Sequence, residues 1–201
     1  MSYSQFTLKK AVIELNLTLV EGVEFLNRDR QESFPPYLAE YLQKNLTLAI
    51  ALNTEKARSE LLICPLLLAA KEIANSPCSL FSGEEFEVEP DAGLTGVCDF
   101  LLSRSTEQLY ITAPVVSIVE AKKEDLKGGL GQCIATMVAA WRFNQQNQNS
   151  IATVYGAVTT DTLWRFLKLE HQTVTIDLNE YSLPPFESIL GKLVQLIDSP
   201  A

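Results

Sequence analysis

The strongest constraint on this 201-residue chain is a pair of apolar runs that carry charges. Residues 96–102 read GVCDFLL, and residues 114–122 read PVVSIVEAK. In a strand, side chains at i and i+2 share one face. Glu120 and Lys122 therefore point the same way as Val116 and Ile118, while Val115, Ser117, Val119 and Ala121 point the other way. Both faces are largely apolar, which marks a central strand covered on each side. The polar segment 103–108 is short enough to join the two runs as a hairpin, with Asp99 beside the Glu120 end of its partner. Asp99, Glu120 and Lys122 thus enter a core, where an unpartnered carboxylate costs on the order of several kcal/mol. Two carboxylates suit a hard cation such as Mg²⁺. A neighbouring lysine suits the orientation of a water or the stabilisation of developing negative charge.

The flanking sequence supplies a frame for these runs. Residues 7–15 read as a short helix, 16–21 are ambiguous, and 28–36 form a polar connector. Pro35 and Pro36 open a second helix through Leu46. Thr54 is an N-cap for a long helix over 55–74, which Pro65 must kink or split. Phe86 and Val88 alternate with Glu85, Glu87 and Glu89 as a half-buried strand. Residues 124–131 form a Gly-rich turn. The helix after it buries Leu130, Cys133, Ile134, Met137, Val138 and Trp141, and Gln132 lies off the centre of that stripe. Strands over 152–158, 163–169 and 173–178 follow, the last two joined as a hairpin through His171, and Pro184-Pro185 opens a final helix. The expected fold is α/β, a mixed central sheet flanked by helices. Residues 1–53 form an N-terminal helical cap or extension and 54–201 the core.

An Asp on one strand followed by Glu-x-Lys on the next, here Asp99 and Glu120-Ala121-Lys122, resembles the PD-(D/E)XK nuclease superfamily with its restriction-endonuclease-like fold. The resemblance spans residues 56–178. It implies a helix after the Lys strand, and in some branches a Gln on that helix, for which Gln132 stands in place. It implies an acid on a helix before the first strand, for which Glu60 is the choice. Thr136 stands where such branches carry Tyr. The implied chemistry is hydrolysis of a phosphodiester. Asp99, Glu120 and Glu60 would hold Mg²⁺ or Mn²⁺, and Lys122 would position water or stabilise the transition state. The implied partner is nucleic acid, DNA ahead of RNA. The rival reading is a catalytically degenerate member of the same fold that binds protein or nucleic acid. A homodimer or a partner protein stays open.

Composition bounds the alternatives. The single histidine, His171, excludes a zinc site of neighbouring histidines. The four cysteines show no C-x-x-C spacing and read as reduced thiols, so a cytoplasmic location is expected. The longest apolar run, 61–70, is too short to span a bilayer and contains Pro65, so no membrane role is expected. Net charge is −9, which opposes a polyanionic substrate. Glu84, Glu85, Glu87, Glu89 and Asp91 read as the solvated face of an edge strand, with Glu87 and Glu89 as alternative metal ligands. Lys122, Lys123, Lys127 and Arg142 read as a local basic strip. Trp141 and Trp164 read as core residues.

Overall fold

A computed structural model describes residues 1–26, 35–123, 125–160 and 162–199. Most of the connector expected over 28–36, and Glu124 of the Gly-rich segment, lie outside the described residues. Helix α1 (Leu8–Glu14) starts at Thr7, whose hydroxyl accepts from the Lys10 N–H. The ambiguous segment after it is strand β1 (Thr18–Glu21). Helix α2 (Pro36–Leu52) follows, with proline at its first position where no N–H is needed.

The long helix expected next is divided as Pro65 requires. Thr54 caps α3 (Glu55–Arg58), a π-helical turn spans Ser59–Ile63, and α4 covers Cys64–Ile73. Pro65 sits in the first turn of α4, where its missing N–H costs least. The widened turn before it absorbs the clash that a proline ring makes with the preceding turn.

Strand β2 (Ser79–Glu85) pairs antiparallel with β3 (Val97–Ser103), which pairs antiparallel with β4 (Val115–Ala121). The expected strand around Phe86 and Val88 therefore begins earlier than the alternation suggests. Those two residues only extend the pairing, through Phe86 N–H to the Gly96 carbonyl and Val88 N–H to the Leu94 carbonyl. Helix α5 (Leu126–Gln146) then crosses to β5 (Thr153–Thr159), which lies parallel to β4. Strands β6 (Leu163–Glu170) and β7 (Thr173–Ile176) form the expected hairpin, and β8 (Tyr181–Ser182) pairs with β6 before the last helix, α6 (Phe186–Asp198). The sheet order is β1-β7-β6-β5-β4-β3-β2, with β1 parallel to β7. Part of the N-terminal segment is thus woven into the sheet edge.

Two cores lie on opposite faces of this sheet. One joins Leu42, Leu62, Leu66 and Leu193 of the helices to Phe100, Val119 and Phe166. The other joins Ala11 and Leu15 of α1, and Cys133 and Met137 of α5, to Leu101, Ile118 and Leu167. Every residue of β4 is buried, as a strand covered on both faces must be. The Gly-rich segment is not a turn. Asp125 caps α5 by accepting from the Lys127 and Gly128 N–H groups, so the glycines fall inside the helix. Among the described residues, no helix is long and apolar enough to cross a membrane.

The start of β4 is held by a side chain that its spacing does not single out. Buried Asn144 on α5 accepts from the Val115 N–H and donates to the Val115 carbonyl, both at 2.7 Å. Asn144→Ala leaves both backbone groups buried and unpaired, at about 1–3 kcal/mol each. Chemical denaturation should show a loss of about 2–4 kcal/mol, while Ala at exposed Gln145 changes stability by less than about 0.5 kcal/mol.

Candidate functional site

The site forms where β3 begins and β4 ends. Phe100 lies opposite Val119 in the antiparallel register. That brings the Asp99 carboxylate across to β4, where its Oδ2 accepts from the Ala121 N–H at 2.8 Å. Glu120 is buried, 1% exposed, and lies within hydrogen-bonding reach of Asp99. Its Oε1 is 2.6 Å from Lys122 Nζ. That ammonium is the charged partner of this buried oxygen. Lys122 Nζ also donates to Gln132 Oε1 at 3.2 Å. Four of the residues singled out in the sequence, Asp99, Glu120, Lys122 and Gln132, therefore converge.

Helix α5 can reach Lys122 because position 129 is glycine. A Cβ there would lie 2.9 Å from Lys122 Cγ and 2.6 Å from a Val158 methyl. The strand end is further fixed by the Lys122 N–H, which donates to the Thr159 carbonyl at 2.8 Å. Arg58 closes the same corner. Its guanidinium donates to the carbonyls of Lys123 at 2.8 Å and Thr160 at 2.7 Å, and to Asn53 Oδ1 at 2.9 Å. This tethers α3 to the ends of β4 and β5.

Glu60 does not join the group. It is exposed and pairs with Lys56, one helical turn back, at 2.8 Å. The acid that faces Asp99 is Glu55. With Lys56, Ser59, Ser82 and Gly83 it lines a cleft of about 300 Å³ beside Asp99. Glu55 and Ser59 share a face because they are four apart on the helix, and the Thr54 cap fixes Glu55 as the first residue. The spacing from the cap was the signal that could have found Glu55. Gly83 has φ of +69°, a backbone state that a side chain disfavours.

The expected basic strip is not continuous. Arg142 lies 16 residues along α5 from its start, about 24 Å away at 1.5 Å per residue. There it pairs with Glu89. That ion pair also commits Glu89 elsewhere, and Glu87 accepts from the Thr95 hydroxyl at 3.1 Å. Trp164 is fully buried and Trp141 partly so. His171 occupies an exposed turn.

The electrostatics follow from burial. Desolvation pushes the Glu120 carboxyl up to about 8, the Asp99 charge acts in the same direction, and Lys122 partly offsets both. Burial alone would lower the Lys122 pKa, but Glu120, with Asp99 and Glu55 behind it, outweighs that and raises it. The donor set suits a hard divalent cation: two carboxylates side by side at one strand end, one of them buried beside Lys122. Among the described residues, no group of three or more His, Cys, Asp or Glu side chains is placed to hold a metal ion, and Glu60, the third carboxylate expected, lies at the surface with Lys56.

Comparison with family models, with curated proteins and with solved structures finds no match.

Glu120 makes stability depend on pH in a defined direction. Its folded pKa lies above the unfolded value, so its contribution is fully present below about 4.5 and is lost as pH rises through about 8. Unfolding measured from pH 5 to 8 should show wild type losing at most about 1.4 kcal/mol per pH unit from this group. Glu120→Gln should flatten that slope and be the more stable protein at pH 8.

Proposed function

We propose that the chain is a divalent-metal-dependent phosphodiester hydrolase, in keeping with its resemblance to the PD-(D/E)XK nucleases. The observation that carries this reading is the convergence of Asp99, Glu120 and Lys122 at one strand end, with Glu120 fully desolvated. A carboxylate in that position opposes folding at neutral pH, and structural need does not explain it, because a glutamine would fill the same space.

Asp99 and Glu120 would hold the ion, as one or two carboxylates commonly hold Mg²⁺. Such an ion polarises the phosphoryl group and lowers the pKa of a bound water. Lys122 stays charged beside Glu120 and presents its ammonium to the charge that builds on the phosphoryl oxygens. Gln132 fixes where that ammonium sits. Glu55 stands on the cleft wall opposite, as the acid nearest a substrate that enters past Ser82 and Gly83. Arg58 keeps the helix carrying Glu55 in place.

The test is cleavage of a small chromogenic phosphodiester and of DNA and RNA oligonucleotides with Mn²⁺. Asp99→Ala, Glu120→Ala and Lys122→Ala should each lose at least ~100-fold in rate with the fold retained, the scale for loss of one electrostatic stabiliser. Glu60→Ala should keep full rate. Mn²⁺ binding by calorimetry should weaken as pH falls below 8, roughly tenfold per unit, because Glu120 must lose its proton to bind. Inactivity of wild type on every substrate, with no divalent cation bound, would favour the non-catalytic binding module.

A further inference from the structure

We infer that the sheet edge at β2 carries a docking surface for a partner protein segment that is both basic and apolar. The inference goes beyond the hydrolytic reading and does not rest on it. Phe81 and Phe86, with Phe143 near the end of α5, line a pocket of about 260 Å³ on the face of the sheet that α5 covers. The rings of Phe86 and Phe143 meet edge to face, with centroids 5.3 Å apart. The loop between β3 and β4 supplies the outer wall through Leu109 and Tyr110. Leu109 is 91% exposed and Tyr110 63%, and among the described residues no other large apolar side chain is as exposed as Leu109. The loop is pinned in that position. Glu107 Oε1 accepts from the Leu109 N–H at 2.9 Å, and the Gln108 side chain donates to Ser79 Oγ at 2.8 Å. An apolar patch held open to water and rimmed by polar groups marks an interaction surface.

The charge around the patch selects the occupant. Glu84, Glu85 and Glu87 complete the lining, and no basic side chain does. Among the described residues none of the three forms an ion pair. Arg142, beside Phe143, is bound to Glu89 and leaves them uncompensated. Charges on an outermost strand guard it against pairing, and β2 is outermost on its side. That accounts for the glutamates, but not for an apolar loop held out beside them. A second copy docking through the same face would set carboxylate against carboxylate. An arginine or lysine fits instead, because its apolar stem packs along the rings while its charged end reaches the glutamates. The net charge of −9 draws such a partner in.

The experiment titrates the full chain with short blocked peptides of equal length, followed by calorimetry and by backbone NMR shifts. One peptide alternates arginine with leucine, one glutamate with leucine, and one arginine with serine. The arginine–leucine peptide should shift residues 84–87 and 109–111 and bind at least ~10-fold more tightly than either of the others. Leu109→Ser with Tyr110→Ser removes only exposed side chains, so the fold persists, and binding should weaken at least ~10-fold. Glu84→Gln with Glu87→Gln should weaken it several-fold, and added salt should act in the same direction. Equal binding of the arginine–serine peptide reduces the surface to bare charge and overturns the inference, as does equal binding of the glutamate–leucine peptide. Absence of binding, or shifts confined to other residues, also overturns it. Self-association of the chain that Leu109→Ser abolishes would assign the surface to a second copy and overturn the basic partner.

Discussion

The desolvated carboxylate of Glu120 is the constraint around which this end of the sheet is arranged. A central strand buried on both faces has no water to offer a charge, so partners must come from the protein. Lys122 comes from the same face of the same strand, two residues on. Gln132 comes from the crossing helix and takes one of the ammonium donors. Asp99 spends one oxygen on the Ala121 N–H, which pins the two strand ends together. The group is still not balanced. Glu120 is raised towards neutrality rather than held ionised, because burial outweighs the lysine. Hydrophobic replacement of buried ion pairs is often neutral or stabilising, so stability alone does not account for this arrangement.

The helix beside the cleft illustrates how a local backbone feature decides which acid lines it. From the Thr54 cap, Glu55 and Ser59 fall on one face and Lys56 and Glu60 pair across a turn. Pro65 cannot donate an N–H, and the π-helical turn ahead of it lets α4 pack Leu66, Leu67 and Ala70 into the core while α3 keeps its own facing. Arg58 then ties α3 to the carbonyls at the ends of β4 and β5. The cleft wall and the buried carboxylates are therefore one mechanical unit, although α3 and β4 are far apart in sequence.

Those parts of the fold and site governed by short-range periodicity were legible in the sequence. The i, i+2 pattern of 115–122 foretold a two-faced central strand with Glu120 and Lys122 together, and Gln132 at the edge of a helical stripe was placed beside them. Features set by tertiary contact were not. The strand Thr18–Glu21 is too short to show a period, and its place is decided by pairing with Thr173–Ile176. Gly128, Gly129 and Gly131 read as a turn by composition, yet they are helical because Asp125 caps them, and close neighbours leave no room for a Cβ at Gly129 or Gly131. Glu60 precedes an apolar run but turns to solvent, and the helical angle from the Thr54 cap is the better guide to Glu55. Arg142 belongs with the basic residues by sequence distance alone, but the helix carries it about 24 Å along its axis from Leu126.

Charge distribution links the site to the rest of the molecule. Attraction at close range and repulsion at long range are separate quantities, and in this chain they have opposite signs for an anionic ligand. The lysines nearest Asp99 are matched by carboxylates, so neither projects a field far into solvent. Lys122 is nevertheless held at a fixed point by Gln132, where a group close enough to touch it meets a full positive charge in a poorly solvated setting. A site built this way gains little from steering and most from contact. For the phosphodiester proposed as its substrate, discrimination would come from what fits against Asp99, Lys122 and Glu55, and not from how strongly a ligand is drawn from a distance.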